Sequence, residues 1–86
     1  MKECSHVFVL PEPEPTALSE TCLECVAAGT HPVQLRKCLQ CGHIGCCDSS
    51  PLRHATGHFK DSGHPIMRTF EPGESWRWCF ADTVLV

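Results

Sequence analysis

Cysteine and histidine recur at metal-ligand spacing along almost the whole chain. Cys22-x-x-Cys25 and Cys38-x-x-Cys41 are followed by adjacent Cys46 and Cys47, and then by His54, His58 and His64. Cys4-x-His6 stands before this run and Cys79 after it. Two thiols separated by two residues can reach one ion from a single tight turn. Two such pairs with spaced histidines behind them form the layout of structural zinc sites. The expected cofactor is therefore zinc, two or three ions.

Size makes that chemistry a structural need. The chain has 86 residues, and eight of those counted as hydrophobic are cysteines. A domain of this length buries only about 60% of its unfolded surface, so its apolar core is thin. The core candidates are Phe8, Leu35, Leu39, Ile44, Leu52, Phe59, Ile66, Phe70, Trp76, Trp78, Phe80 and Val84. A structural zinc site supplies roughly 10–16 kcal/mol in small peptides at neutral pH, enough to offset that deficit. A disulfide framework is the competing use of eight cysteines. It gives the six histidines no role, and the start Met1-Lys2-Glu3-Cys4 lacks the apolar run of a signal peptide. A reducing cytoplasmic setting is expected, with no membrane span, since no run approaches about 20 apolar residues.

Charge narrows the partners. The net charge is −3, and residues 1–30 carry one basic and five acidic side chains. Residues 31–86 carry six basic and five acidic ones, with no basic stripe of the kind nucleic-acid binders display. Nucleic acid is excluded as a partner class.

The pattern along the chain indicates an α+β domain, residues 1–86 as a single unit, with a short antiparallel sheet, one main helix and metal-bearing loops. Val7-Phe8-Val9-Leu10 suggests a short extended piece, and Pro11-Glu12-Pro13-Glu14-Pro15 a solvated connector, since alternating proline denies helix and central strand. Residues 33–37 and 65–70 alternate apolar and polar as strands, residues 43–46 fit a returning strand, and residues 75–80 and 83–86 supply the last ones. Ser49-Ser50-Pro51 has the form of a helix start, giving a helix over about 51–61 that stops at Gly63. Leu52, Ala55 and Phe59 mark one face of it. On spacing alone, His54 and His58, four apart on a helix, would share one ion.

The run Cys38-Leu39-Gln40-Cys41, Cys46, His54, His58 and Gly63-His64-Pro65, with Trp78-Cys79 downstream, resembles the ubiquitin-protease type zinc finger family over residues 4–82. The resemblance implies interleaved ligands. One ion would take Cys22, Cys25, Cys46 and His54, and a second Cys38, Cys41, His58 and His64. A third would take Cys4, His6 and Cys79, with Asp82 where the family carries a further cysteine. A carboxylate oxygen can ligate zinc, so that site stands as a ligand set or as a surface acid beside three ligands. Cys47 to His54 is also a family-like interval, which leaves Cys46 and Cys47 as alternatives. His31 and His43 have no regular spacing partner and are read as non-ligands.

Members of that family grip the free C-terminal carboxylate of ubiquitin with an arginine shortly after the Cys46 equivalent and with flanking aromatics. This chain has Cys47-Asp48-Ser49-Ser50 there and no arginine. Trp78 matches the family's pocket tryptophan, and Phe80 stands where a ring is common. Trp76 and Trp78 share one face of a strand, with Arg77 on the other. Arg36, Arg53 and Arg77 are the available substitutes for the missing guanidinium, and Arg36 is carried forward with the three aromatics. The expected function is a monomeric, non-catalytic zinc module that recognises a protein or peptide tail, ubiquitin-like chains included. The alternatives are a zinc-thiolate redox sensor and a purely structural zinc domain. Catalysis is disfavoured, because His54-Ala55-Thr56-Gly57-His58 lacks the glutamate a metalloprotease uses as base.

Overall fold

Five short strands form one antiparallel sheet in the computed structural model, which describes residues 4–31, 33–50 and 52–86. They are β1 (Leu35–Cys38), β2 (Ile44–Cys46), β3 (Ile66–Thr69), β4 (Arg77–Cys79) and β5 (Val84–Leu85). Their spatial order is β2-β1-β3-β4-β5. Each pairs antiparallel with its neighbour, with Leu35 opposite Cys46, Cys38 opposite Met67 and Ile66 opposite Cys79. The registers align cysteines with apolar partners, which concentrates the ligands at strand ends.

Turn chemistry closes the hairpins. Gly42 takes φ 83° after the Cys38–Cys41 knuckle, where Cys38 N–H donates to the His43 carbonyl at 2.8 Å. Gly73, at φ 82°, serves the turn of residues 71–74 between β3 and β4. Among the described residues, helix α1 (Leu23–Ala28) forms on the first C-x-x-C pair, and α2 (His54–Ser62) crosses from β2 to β3 and stops at Gly63 in the left-handed conformation.

Two expectations about local structure are corrected. The Ser49-Ser50-Pro51 stretch does not begin α2, although Pro51 itself lies outside the described residues. Ser50 is buried, and its hydroxyl accepts the Val33 N–H at 2.8 Å. The helix begins at His54 after Arg53, and the His54 N–H donates instead to Cys46 Sγ at 3.0 Å. A cysteine sulfur thus satisfies one of the first four helix N–H groups, which have no partner within the helix. Residues 7–9 are not extended either, because Ser5–Val9 is a 3-10 helix, and the extended backbone resumes only at Leu10. In a strand, residues two apart stand about 6.7 Å from each other. The tight turn instead brings Cys4 Sγ within 3.4 Å of His6 Nδ1.

Cysteines occupy the positions a larger domain would give to hydrocarbon. The largest fully buried side chains are Ile66, Thr69, Cys22, Cys25, Cys46 and Cys79. Leu39 and Ile66 pack with Cys4 and Cys79 in one cluster, while Leu35 covers Cys22, Cys25 and Cys46 in another. Three expected core residues are exposed: Phe8 at 79%, Leu52 at 48% and Trp76 at 36%. Residues 11–14 are exposed, and Glu14 pairs with Lys37 at 3.6 Å and Arg68 at 3.4 Å. No helix among the described residues is long and apolar enough to cross a membrane.

Helix α2 rests on β2 through Gly45. A Cβ there would stand 2.6 Å from Ala55 N and 2.8 Å from its Cα, backbone atoms that cannot rotate away. Gly45→Ala is expected to destabilise the zinc-loaded domain by about 1–3 kcal/mol, as overpacking does. Denaturant midpoints measure this, and a change below about 0.5 kcal/mol would contradict the close approach.

Candidate metal centres and binding pocket

Three groups of side chains converge, each with four ligand atoms within 4.8 Å of one another. The first joins Cys22 at the start of α1, Cys25 within it, Cys46 on β2 and His54 at the start of α2. The second joins Cys38 at the end of β1, Cys41 in the following turn, His58 on α2 and His64 just beyond it. The third joins Cys4 and His6 from the N-terminal turn, Cys79 at the end of β4 and Asp82 in the next turn. The memberships are those the family resemblance implies, not those of helical spacing.

His54 and His58 therefore lie one turn apart yet serve different groups. The nitrogen used separates them. His54 turns Nδ1 towards its sulfurs, whereas His58 reaches Cys41 through Nε2 at 3.4 Å. Cys46 enters the first group and Cys47 does not. Neighbouring residues on a strand point to opposite faces, and the Cys47 sulfur lies 3.7 Å from the Ser50 hydroxyl.

Hydrogen bonding does not account for these geometries. His54 Nδ1 stands 3.2, 3.3 and 3.4 Å from the sulfurs of Cys22, Cys25 and Cys46. One ring nitrogen carries at most one proton, so it cannot donate to three acceptors. Zinc bonds of about 2.3 Å to sulfur and 2.0–2.1 Å to nitrogen give a tetrahedral edge near 3.5 Å. The spacings match that edge, and the soft sulfur and imidazole donors suit zinc. Backbone N–H groups point at the sulfurs as well, from Gln40 to Cys38 at 3.4 Å and from Asp82 to Cys79 at 3.3 Å. Such bonds favour the thiolate.

Deprotonating the buried thiols calls for a cation. Burial pushes the Cys4 and Cys22 thiols up to about 11, reinforced at Cys4 by Asp82 and Cys79. The deprotonated form is disfavoured in that setting until a divalent ion compensates it. Burial, then the neighbouring His43 and His64, holds the His58 imidazole below its ordinary value. The hydrogen bond from Cys4, ahead of the contact with His6, lowers Asp82.

His43, read as a non-ligand, supports the second group from outside. Its ring stacks on His58 at 4.1 Å, nearly parallel, and its Nε2 is hydrogen-bonded to the Glu24 carboxylate. Glu24 had no signal in the sequence beyond its place in the first turn of α1.

Beside the first two groups opens a pocket of about 760 Å³, lined by Arg36, Cys47, Asp48, Trp76, Trp78 and Phe80 among others. Of the expected partner-binding residues, all four reach it. Arg36 rises from β1 with only 8% of its surface exposed, and its Cζ lies 4.5 Å from the Trp76 ring centroid. Its Nη1 donates to the Leu35 carbonyl at 3.0 Å and to Thr69 at 3.5 Å, and its Nη2 to Gln34 at 3.0 Å. Among the described residues no carboxylate lies within ion-pair distance of it. Arg77 turns away and donates to the Val86 carbonyl at 3.0 Å. The sequence did not single out Met67 and Thr56 as lining residues. For Met67, alternation beside buried Ile66 was the available sign.

Together these features define a class: a small α+β domain assembled on metal-binding cysteine and histidine groups, with an aromatic pocket beside them. The family described as "Zn-finger in ubiquitin-hydrolases and other protein" matches residues 22–86, and the chain belongs to it. The fold is similar to the solution NMR structure of protein RPA1320 from Rhodopseudomonas palustris. The TM-score is 0.87 and the identity 44%, over 99% of this chain and 81% of that one. No curated protein matches the chain. The domain is a non-catalytic zinc-binding module of the UBP type.

Protonation sets a pH limit. A histidine whose folded value is depressed stabilises the fold fully above its unfolded value, and the contribution is lost as pH falls below that point. For His58 the loss begins near 6.5. Metal binding acts in the same direction, because only neutral imidazole ligates. Unfolding free energy should fall by about 1 kcal/mol or more between about pH 7 and pH 5.5. Denaturant titrations across that range that show no fall would overturn the assignment.

Proposed function

We propose that the three groups each hold one zinc ion, and that the pocket receives the free C-terminal carboxylate of a protein or peptide tail, ubiquitin-like tails included. One observation carries the second part. Arg36 is a buried guanidinium that lines the pocket and has no acidic partner among the described residues. A charge removed from water without a counterion is costly, and a ligand carboxylate would relieve that cost. Guanidinium offers five N–H donors, of which three are engaged within the protein. Two remain for an incoming oxygen pair.

The aromatic wall completes the reading. Trp76 holds the guanidinium in plane from one side. Trp78 and Phe80 offer flat apolar surface to a peptide backbone, and Phe80 is braced against Phe59 at 5.2 Å. Arg36 thus takes, from a strand, the role that the family resemblance gives to an arginine in the loop after Cys46. Protein ligands fill all four positions of each proposed zinc site, leaving none open for substrate. Eight cysteines outside any disulfide suit a reducing cytoplasm, and we assign the protein there as a monomer.

Two measurements test this reading. Native mass spectrometry should find three zinc ions, and two in Asp82→Ala; three ions in the variant would remove Asp82 as a ligand. Tryptophan fluorescence should report binding of a peptide with a free carboxylate. Amidation of the peptide, or Arg36→Gln, is expected to weaken it by about 2–3 kcal/mol, as loss of a buried charge partner does. Equal affinity for the amidated and free peptides would overturn the carboxylate reading without depending on any variant.

A further inference from the structure

The pocket carries two opposite charges rather than one. Arg36 stands on β1 opposite Gly45 of β2, and the chain leaving β2 continues through Cys47 to Asp48 on the same pocket wall. The Cys47 N–H donates to the Gln34 carbonyl at 2.9 Å, which extends the pairing past the strand and fixes where Asp48 emerges. One carboxylate oxygen, Oδ1, accepts the hydroxyl of Thr56, another lining residue, and so holds the side chain against α2. Oδ2 has no hydrogen-bond partner among the described residues. Asp48 forms no ion pair with Arg36 or with any other described cation.

We infer that the pocket selects a chain end that carries a cationic side chain within its last two residues, with the terminal carboxylate on Arg36 and the cation on Asp48. The inference rests on the tail-binding reading above and deepens it. A ligand carboxylate alone would satisfy Arg36 and bring a second negative charge into the neighbourhood of Asp48. A dipolar ligand end satisfies both charges. Asp48 is thus a specificity-determining residue: it works against acidic residues near the tail, where like charges would be forced together. Its exposure keeps the preference moderate, because partly solvated pairs are screened.

The experiment uses the zinc-loaded protein and pentapeptides with free carboxylates that end Gly-Gly, Lys-Gly, Gly-Lys, Glu-Gly or Gly-Glu. The better lysine peptide should bind roughly threefold tighter than the diglycine peptide and roughly tenfold tighter than its glutamate counterpart, with the spread narrowing as salt is raised. In Asp48→Asn, which keeps an oxygen for Thr56, the spread should collapse to within about twofold. Equal affinity for lysine and glutamate peptides in the native protein overturns the inference and leaves carboxylate capture standing. A spread unchanged in Asp48→Asn also overturns it. Nα-acetyl-lysine, which carries both charges without a chain, separates the two sources of this chemistry. Binding as tight as that of the peptide would overturn the assignment to a chain end and point to a free basic amino acid. No binding of any free-carboxylate peptide is the distinct failure of the tail reading itself.

Discussion

Sulfur and imidazole converging on shared points take the place of a hydrocarbon core, and the remaining structure is arranged around them. No group is local. Each ties together segments from different parts of the sequence, with Cys22 and His54 in one and Cys4 and Cys79 in another. In a chain with so little apolar bulk, such cross-links offset the entropy of ordering long loops. They also replace ordinary local devices. The sulfur of Cys46 satisfies the first N–H of α2, and the tight turn between Cys4 and His6 follows from the ligands' need to meet. Secondary structure here is partly a consequence of ligation.

That dependence explains what the sequence made legible. The C-x-x-C pairs and the alternating strands are local patterns, and each appears where it was expected. The start of α2 depends on partners 8 to 32 residues away and the shape of residues 5–9 on partners 73 to 76 residues away, so local propensity misplaced both. Ser50 has the sequence form of a cap, but the Val33 N–H claims its hydroxyl. Phe8, Leu52 and Trp76 read as core because hydrophobicity is all that one dimension shows. With cysteines filling the interior, these side chains remain outside or on the pocket rim.

The same logic governs the division of His54 and His58. Helical spacing places them on one face, and a single ion between them is the local expectation. The choice between Nδ1 and Nε2 is invisible in a sequence, yet it accompanies the division of two neighbouring rings between the sulfurs of different groups. Only the family resemblance conveyed that separation. Arg36 was one of three arginines available to the pocket. Its burial, its stacking on Trp76 and its lack of an acidic partner among the described residues are three-dimensional facts that spacing does not encode.

Placing that guanidinium on a strand changes what recognition costs. An arginine on a loop must be ordered when its ligand arrives, and the lost freedom subtracts from affinity. Arg36 is already held by Leu35, Gln34, Thr69 and the Trp76 ring, on a strand whose two ends lie against different metal-binding groups through Leu35 and Cys38. The cost has been moved from binding to folding, as the desolvation of an unpaired cation. A domain held by hydrocarbon alone, with as few buried apolar residues as this one, would have little stability from which to offset it. Three multi-ligand cross-links change that balance. The metal-binding frame and the preorganised pocket are therefore one design: the clusters supply the rigidity and free energy that hold a buried guanidinium with no acidic partner among the described residues, the feature on which the proposed carboxylate capture rests.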